Sequence, residues 1–300
     1  GDTPLLTNQT LSEFIQVHDD RKNIASVLTA LQPDPTGYGR VIRSSDDEIL
    51  KIVEEKDATE SEKEIDEINT GVYLFDLALL RDVIKNLKND NAQKELYLTD
   101  VISLINSSGK KSHAILSNDY SETLGINDRT QLAECAAIMR DRINSQHMLN
   151  GVTILDPTTT WIDHDVKIES DVLIYPGSSI TGASNIKSEA VIGPRTTLNS
   201  CVVEEGAKVV ESNCTESVIG KGAKVGPFTY LRKGSVLKNE SKAGSFVEIK
   251  NSTVGKGSKV AHLSYVGDAE IGDETNIGAA TVFVNYDGEN KHKTKVGDHV

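Results

Sequence analysis

From residue 151 onward, aliphatic residues recur at every sixth position. One run is Ile174, Ile180, Ile186, Ile192 and Leu198, and the same step returns in Ile219, Val225, Leu231 and Leu237, in Val254, Val260 and Val266, and in Ile271 and Ile277. A helical face repeats every 3.6 residues and cannot sustain this period. A triangular solenoid can, because each step then forms one short strand and one turn with the aliphatic side chain inside. The pattern predicts a parallel β-helix; a β-sandwich with coincidental spacing is the alternative.

Glycine often follows the inward aliphatic residue, as at Ile192, Ile219, Val225, Val254, Val266, Ile271, Ile277 and Val296. Glycine adopts positive φ angles that other residues rarely reach. We therefore expect these glycines to form the corners of the solenoid.

Residues 1–121 have a mixed pattern. Apolar runs at 26–31 and 70–75 predict strands, and 40–43 with 49–54 predict a hairpin around Asp46 and Asp47. Helices are predicted to begin at Leu11 and to cover 58–68 and 77–87. Strands that alternate with helices favour a doubly wound α/β sheet, although the glycine-rich phosphate loop expected after its first strand is absent.

A long helix separates the two patterns. Leu132, Cys135, Met139 and Ile143 share one face at steps of three and four, which predicts a helix over 131–150. The composition changes at Gly151. We expect an α/β domain at 1–128, a linker helix at 129–150 and the solenoid at 151–300.

Charge and composition narrow the class of ligand. The net charge of −13 argues against nucleic acid or an anionic membrane as a partner. Basic residues nevertheless cluster locally, which suits a phosphorylated small molecule: Arg232, Lys233, Lys250, Lys291 and Lys293. Three widely spaced cysteines predict neither a disulfide framework nor a metal site, and neither a bilayer-spanning run nor a signal peptide is evident. We expect a cytoplasmic protein.

The stretch 246–291 carries the candidate chemistry of the solenoid. His262 can take a proton near neutral pH, although a surface histidine at a corner is the alternative and is the interpretation we give to the other six. With about eighteen residues per turn, residues this far apart stack in adjacent coils. Lys250, Tyr265, Asn276, Asn285 and Lys291 therefore fall within a few coils of His262. Arg232 and Lys250 can bind phosphate, or they are solvated corner charges.

Polar residues of the α/β region suggest a nucleotide site. Asp2 and Asn127 could supply oxygen ligands to Mg²⁺ carrying a nucleotide phosphate, although both also fit ordinary turns. Glu54 and Asn69 could hydrogen-bond a sugar; an exposed acid and a polar residue at a strand start are the alternatives.

Several runs together resemble one family of enzymes. They include 1–5, 36–40, 53–59, 67–71, 91–93, 97–100 and 125–129, in the family's order, and the whole of 226–297. The chain is similar to the bacterial bifunctional N-acetylglucosamine-1-phosphate uridylyltransferase/glucosamine-1-phosphate acetyltransferase family. The resemblance implies an α/β nucleotidyltransferase domain of Rossmann-like form, incomplete at its N-terminus, followed by a left-handed parallel β-helix of hexapeptide repeats.

The resemblance also implies two activities. The solenoid would acetylate glucosamine-1-phosphate with acetyl-CoA, using His262 as the base. The sugar phosphate would be held by Arg232, Lys250, Tyr265, Asn276 and Lys291, and acetyl-CoA would be bordered by Ala279, Asn285 and Tyr286. The α/β domain would join N-acetylglucosamine-1-phosphate to the uridylyl group of UTP, with Mg²⁺ on Asp2 and Asn127. The nucleotide sugar would meet Gly39, Glu54, Asn69 and Asn127. A homotrimer with the acetyl-transfer site between subunits is implied.

Departures from this family concern the ends and a few positions. The chain begins at Gly1, after the family's nucleotide-binding glycine loop, and reaches Val300 with the repeat still running, so we expect portions to be missing at both ends. Lys94 and Ala280 stand where the family commonly has glycine, Lys233 where it has proline, and Val282 where it has threonine. Two alternatives to the bifunctional enzyme are a sugar-1-phosphate nucleotidyltransferase with a purely structural solenoid and an inactive fragment.

Overall fold

The computed structural model describes residues 3–45 and 48–300. Asp2, and the Asp46–Asp47 turn of the predicted hairpin, therefore lie outside the described residues. Contacts divide the chain into two compact units, Gly1–Ala136 and Ala137–Val300. The division falls inside the long helix between the two sequence patterns.

The first unit contains short helices and one five-stranded sheet. In chain order its elements are α1 (Asn8–Asp20), β1 (Ala25–Leu31), β2 (Arg40–Arg43), β3 (Ile49–Val53), α2 (Glu60–Lys63), β4 (Glu67–Phe75), α3 (Leu77–Val83), a 3-10 turn (Ile84–Asn86), α4 (Asp100–Ser107), β5 (His113–Leu116) and a second 3-10 turn (Tyr120–Thr123). The long helix α5 (Arg129–Leu149) follows, and its residues are shared between the two units. Helix α2 is much shorter than the predicted 58–68: it begins after its N-cap residue Thr59 and ends at Lys63, and β4 follows from Glu67.

The strand order of this sheet is β3-β2-β4-β1-β5. Strands β2 and β3 form the predicted hairpin, and β4 pairs antiparallel with both β1 and β2. Only β1 and β5 pair in parallel, so the described sheet is mixed rather than uniformly parallel. The buried strand β1 packs its apolar side chains against α3 and α4 on one side, where Ala25 meets Val101 and Ile105.

The second unit is a solenoid with three parallel sheets, one on each side. The first sheet contains β6 (Thr153–Ile154), β9 (Leu173–Ile174), β12 (Val191–Ile192), β15 (Lys208–Val209), β18 (Lys224–Val225), β21 (Lys242–Ser245), β24 (Lys259–His262) and β27 (Asn276–Ile277). The second contains β7 (Trp161–Ile162), β10 (Ser179–Thr181), β13 (Thr197–Asn199), β16 (Asn213–Thr215), β19 (Tyr230–Leu231), β22 (Glu248–Lys250) and β25 (Tyr265–Gly267). The third contains β8 (Lys167–Ile168), β11 (Asn185–Ile186), β14 (Val202–Val203), β17 (Val218–Ile219), β20 (Val236–Leu237), β23 (Thr253–Val254), β26 (Ala269–Ile271) and β28 (Thr294–Val296).

Register places the repeated aliphatic residues directly above one another. Ile180 pairs with Leu198, and Leu198 pairs with Cys214, so one coil uses 16 to 18 residues. These side chains are fully buried and form one continuous core along the solenoid. The predicted fold class, an α/β nucleotidyltransferase unit followed by a left-handed parallel β-helix, is confirmed.

The expected role of the glycines after the aliphatic residues is mostly wrong. Gly255 and Gly220 have ordinary φ angles, and the reason for glycine there is close stacking of coils. A Cβ at Gly255 would lie 2.1 Å from the carbonyl oxygen of Gly272, and one at Gly220 would lie 2.7 Å from that of Leu237. Many of the left-handed corner positions are instead occupied by other residues, including Asn251 and Asp268. Side-chain amides and carboxylates tolerate that conformation through local hydrogen bonds.

Candidate functional site

Three consecutive coils bring charged and aromatic residues together on the second sheet of the solenoid. Tyr230 pairs with Glu248, and Glu248 pairs with Tyr265, so these side chains form one outward column. In each strand the residue that follows the inward aliphatic residue belongs to a second outward column. In this column Lys250 pairs with Gly267. Arg232 occupies the corresponding place one coil before Lys250, since its amide donates to the carbonyl of Ile249.

Arg232 is held by a carboxylate from the next coil. Its Nη1 lies 2.9 Å from Oε1 of Glu248, and its guanidinium carbon lies 6.0 Å from the centre of the Tyr230 ring. The hydrogen bond with Glu248 raises the pKa of Arg232. Both side chains remain about 40% exposed, so the guanidinium is oriented but accessible.

Beside Lys250 lies a buried carboxylate, Asp268. Its Oδ1 accepts from Nδ2 of Asn251 and its Oδ2 from Nδ2 of Asn285, both at 2.6 Å. These bonds, the Asn251 bond first, together with the charges of Lys250 and Lys291, lower the pKa of Asp268. We call these five residues the Asp268 cluster. It joins three of the predicted site residues, Lys250, Asn285 and Lys291, around one anion.

Gly267 makes room for two side chains of the predicted site. A Cβ at Gly267 would lie 2.5 Å from the hydroxyl oxygen of Tyr265 and 2.6 Å from Nδ2 of Asn285. Its φ angle is ordinary, so the missing side chain matters for space rather than for conformation. Tyr265 therefore leans over Gly267 towards the Asp268 cluster.

His262 lies at the end of β24, where the chain turns from the first sheet to the second. It pairs with Ser245, its carbonyl accepts from the amide of Ala280 at 3.3 Å, and its side chain is exposed. Because the amide of Ala280 is hydrogen-bonded to His262, the preceding residue, the exposed Ala279, lies in the next coil close to His262. Tyr265 follows three residues after His262, so the histidine and the phosphate-binding candidates flank one corner.

The solenoid period is interrupted between β27 and β28 by a protruding loop. Phe283 still occupies an inward position, and the chain beyond it leaves the coil. Tyr286 and Lys291 form an antiparallel bridge across this loop, and the ring nitrogen Nε2 of His292 lies 2.5 Å from Oδ2 of Asp287. The hydrogen bonds from the Asn290 amide, then from the His292 ring and the Glu289 amide, lower the pKa of Asp287 to about 2. The loop thus brings Tyr286 and Lys291 to the same corner of the molecule as Asn285.

Asn276 is placed apart from this group. It begins β27, is exposed, and pairs with Lys259 at the opposite end of β24 from His262. Its backbone amide donates to the carbonyl of Val300.

Two departures from the family pattern have a backbone explanation. Lys94 and Ala280, at positions where the family commonly has glycine, have φ angles of 57° and 59°. Glycine adopts this left-handed conformation without the steric cost that a Cβ brings. A third departure is Lys233. Its Nζ lies 2.6 Å from Oε2 of Glu216 in an ion pair between neighbouring coils.

In the first unit, three predicted nucleotide-sugar residues lie side by side. The amide of Asn69 donates to the carbonyl of Gly39 at 2.8 Å, and a Cβ at Gly39 would lie 3.5 Å from Oε2 of Glu54 and 3.6 Å from Cβ of Asn69. Glu54 accepts from the buried Thr99 hydroxyl at 3.0 Å. Burial raises the pKa of Tyr73, which lies close enough for the charge of Glu54 to act on it.

The two predicted magnesium ligands are Asp2 and Asn127. Asp2 lies outside the described residues, and Asn127 is exposed with its backbone amide donating to Oε1 of Gln131. The adjacent Gly125 donates to the Tyr38 hydroxyl, which links this segment to Gly39. Within 3–45 and 48–300, no three or more His, Cys, Asp or Glu side chains form a group that could hold a metal ion.

Sequence reasoning missed Asp268, Asn251, Glu248 and Thr99. The local sequence around Asp268 does not differ from that of other corner aspartates in the repeat. Its hydrogen-bond partners come from neighbouring coils, so the sequence near Asp268 does not reveal them. A signal was available for Glu248, because it lies about one coil after Arg232 and has the opposite charge.

Comparison with known proteins places the chain in a transferase class. The family model described as "Nucleotidyl transferase" matches residues 4–163, which is more than half of the chain. The chain belongs to the nucleotidyl transferase family.

The whole chain is also similar to a named bifunctional protein, which confirms the resemblance found in the sequence. "Bifunctional protein GlmU" of Mycolicibacterium smegmatis (strain ATCC 700084 / mc(2)155) is 52% identical over 300 residues, covering 100% of this chain and 62% of the relative. The proteins of the same name from Mycobacterium tuberculosis (strain ATCC 25177 / H37Ra) and Corynebacterium glutamicum (strain R) are 51% and 50% identical over all 300 residues, with 61% and 62% of each relative covered. The chain therefore spans about three fifths of the length of these relatives.

Two further findings concern the cysteines and the helices. Cys135, Cys201 and Cys214 are free and buried. Among the described residues, no helix has the length and apolar character needed to cross a membrane.

Proposed function

We propose that this chain carries out two steps of UDP-N-acetylglucosamine synthesis. The solenoid transfers the acetyl group of acetyl-CoA to glucosamine-1-phosphate, and the first unit transfers the uridylyl group of UTP to N-acetylglucosamine-1-phosphate with release of pyrophosphate. The main support is similarity along the entire chain to proteins named bifunctional.

Acetyl transfer requires a base and a held substrate. An ammonium group cannot attack a thioester until it loses a proton, and the exposed His262 is suited to accept it. The amine then forms a bond to the acetyl carbon, the carbon–sulfur bond breaks, and the CoA sulfur leaves and takes up a proton. Arg232 and Lys250 bind the sugar phosphate, Arg232 through two donors of its guanidinium and Lys250 as a point charge.

The remaining solenoid residues complete this proposal. Tyr265, beside the Asp268 cluster, and Lys291, within it, contact the same sugar phosphate. Asn276 lies apart from this group at the other end of β24, so this arrangement gives it no contact with the sugar phosphate. Acetyl-CoA is bordered by Ala279, Asn285 and Tyr286, which follow His262 on the next coil and the protruding loop.

Uridylyl transfer needs mainly positioning and charge neutralisation. The packed group of Gly39, Glu54 and Asn69 is suited to hydrogen-bond the sugar of a nucleotide sugar. The exposed amide of Asn127 offers an oxygen of the type that Mg²⁺ accepts, and we propose Asp2 as the second ligand. Bound there, Mg²⁺ would neutralise phosphate charge.

We further propose a cytoplasmic homotrimer whose acetyl-transfer site lies between subunits. Support comes from an apolar ridge at the His262 corner, formed by Phe228, Phe246 and Leu263, which are 55%, 60% and 61% exposed. The two phenylalanine rings stack at 5.2 Å between centroids. Exposed apolar side chains in a contiguous row favour association with another surface.

The test assays the 300-residue chain for both reactions in parallel. Release of free thiol from acetyl-CoA with glucosamine-1-phosphate reports acetyl transfer, and formation of UDP-N-acetylglucosamine reports uridylyl transfer. Nucleotide-sugar formation without thiol release, also at saturating acetyl-CoA, would favour the alternative in which the solenoid is only structural. Neither product, together with no binding of either sugar phosphate, would refute both activities.

A further inference from the structure

The orientation of the Asn285 amide is dictated by Asp268. An ionised carboxylate can only accept hydrogen bonds, so the group of Asn285 that faces it at 2.6 Å must be the NH₂ of Nδ2. The reversed amide would bring two oxygens together. The second carboxylate oxygen is used in the same way by Asn251.

This orientation leaves the carbonyl oxygen of Asn285 without a partner. Oδ1 accepts no hydrogen bond from the residues that the structure describes. It is also not one of the fully buried polar atoms that lack a partner, so it keeps some access to solvent. The residue as a whole is 8% exposed, beside the space left by Gly267. A polar oxygen in so buried a side chain is costly unless a ligand or water satisfies it.

We propose that Asp268 is a positioning residue that keeps Oδ1 of Asn285 turned towards the bound ligand, so that the acyl-transfer site offers an acceptor to an N–H donor. The inference rests on the acetyl transfer proposed above. Two sources of the donor have the same chemistry: the amine of the aminosugar phosphate and an amide of the pantetheine arm of acetyl-CoA. Separate binding measurements with each ligand distinguish them.

Three variants test the orientation. In Asp268→Asn the new amide can face Asn285 with either group, so Oδ1 is no longer forced outward. Asn285→Asp places two carboxylates against each other. In the double variant the amide at 268 donates to the carboxylate at 285, and an oxygen again points to the ligand. The exchange therefore restores the acceptor while reversing the direction of the internal hydrogen bond.

Binding of glucosamine-1-phosphate and of acetyl-CoA is measured by calorimetry for each variant. We expect each single variant to weaken one of the two ligands about tenfold, which corresponds to one hydrogen bond, and the other ligand to be little changed. The double variant should recover most of that loss. In turnover, the KM of the same ligand should rise more than kcat falls. Asp171→Asn is the control, since Asp171 is also a left-handed corner aspartate but lies in an early coil.

Unchanged affinity for both ligands in Asp268→Asn would overturn the proposal, even if the variant unfolds more easily, because Asp268 would then be structural only. A double variant no better than either single variant would also overturn it. A wild-type chain that binds neither ligand would refute the proposed acetyl transfer and the ligand part of this inference. The orientation is tested independently by the unfolding midpoints of the same four proteins: additive effects would show that Asp268 and Asn285 do not interact.

Discussion

The Tyr265 hydroxyl lies only 2.5 Å from the position that a Cβ would occupy on Gly267. The atoms in the way are the ends of flexible side chains, namely this hydroxyl and Nδ2 of Asn285, rather than backbone. A side chain at 267 can therefore be accommodated by the fold, but only if these two groups move. The stability of the coil and the geometry of the site are separable at this position.

We expect Gly267→Ala to impair the site more than the fold. Displacement of Tyr265 and Asn285 by about an ångström should raise the KM for glucosamine-1-phosphate about tenfold or more, while Tm changes by a few degrees at most. Steady-state kinetics and thermal unfolding measure the two effects. Gly297→Ala is the control, because a Cβ there would meet nothing within 4 Å. Equal KM values in the two variants would mean that the space at Gly267 has no role in binding.

His262→Ala tests the proposed base. Removal of a general base commonly costs a factor of 10² to 10⁴, so we expect kcat for acetyl transfer to fall at least about a hundredfold. The uridylyl transfer rate should be unchanged, since His262 belongs to the other unit. His164→Ala, an exposed histidine of an early coil, serves as the control. Wild-type turnover in His262→Ala would exclude this residue from the mechanism.

Arg232→Lys tests whether the guanidinium binds phosphate through its geometry. The substitution keeps the charge but removes the planar guanidinium, in which Nη1 already contacts Glu248 and further N–H donors remain to form a pair for the phosphate. We expect glucosamine-1-phosphate to bind about tenfold more weakly and acetyl-CoA to bind normally. Lys233→Arg is a matched control, because it changes the neighbouring exposed cation that pairs with Glu216. If both variants bind the sugar phosphate as the wild type does, Arg232 is a solvated corner charge.

The solenoid could be predicted from sequence because its period is carried by single inward residues. Ile180, Leu198 and Leu231 are each fully buried in their own coils. Because one aliphatic residue is needed at each such position, the six-residue period is visible in the sequence itself. The role of the glycines could not be predicted from the step alone. Whether a corner needs positive φ or close stacking depends on the backbone of the next coil, as the approach of Gly255 to Gly272 illustrates.

The candidate site was only partly predictable for the same reason. Lys250, Asn285 and Lys291 were expected near one another from their separation in coils, and the Asp268 cluster does join them. Asp268 itself was missed, because its two amide partners each lie 17 residues away and nothing local distinguishes it from other corner aspartates. In the first unit, the grouping of Gly39 with Glu54 required knowledge of how β2, β3 and β4 pair.

The stacking explanation for glycine predicts a large stability loss in Gly255→Ala. A Cβ there would lie 2.1 Å from a backbone oxygen of the next coil, and backbone cannot give way as a side-chain end can. We expect a loss of about 1–3 kcal/mol, as for other overpacked positions. Urea unfolding followed by Trp161, the only tryptophan, reports the solenoid. Gly297→Ala again serves as the control, and equal midpoints for the two variants would contradict the explanation.

The last prediction concerns pH and the first unit. Glu62 accepts from Lys51 and from the Thr59 amide, and these contacts, the Lys51 hydrogen bond first, lower the pKa of Glu62 from 4.5 to about 2. A carboxyl whose pKa is lower in the folded state contributes stability that is complete above its unfolded pKa and is lost as the pH falls through the folded value. Glu62→Gln keeps the helix cap but removes the charge. We therefore expect Tm to fall by a few degrees near neutral pH and the deficit to shrink between about pH 5 and pH 2.

Thermal unfolding followed by circular dichroism across this pH range checks the sign. Glu60→Gln is the matched control, since it also removes a carboxylate from this helix. The side chain of Glu60 is 93% exposed. Its effect on Tm should be small at every pH, because exposed ion pairs contribute little. A deficit in Glu62→Gln that stays constant down to about pH 2 would mean that the amide disturbs packing and that the ionised carboxylate contributes no stability.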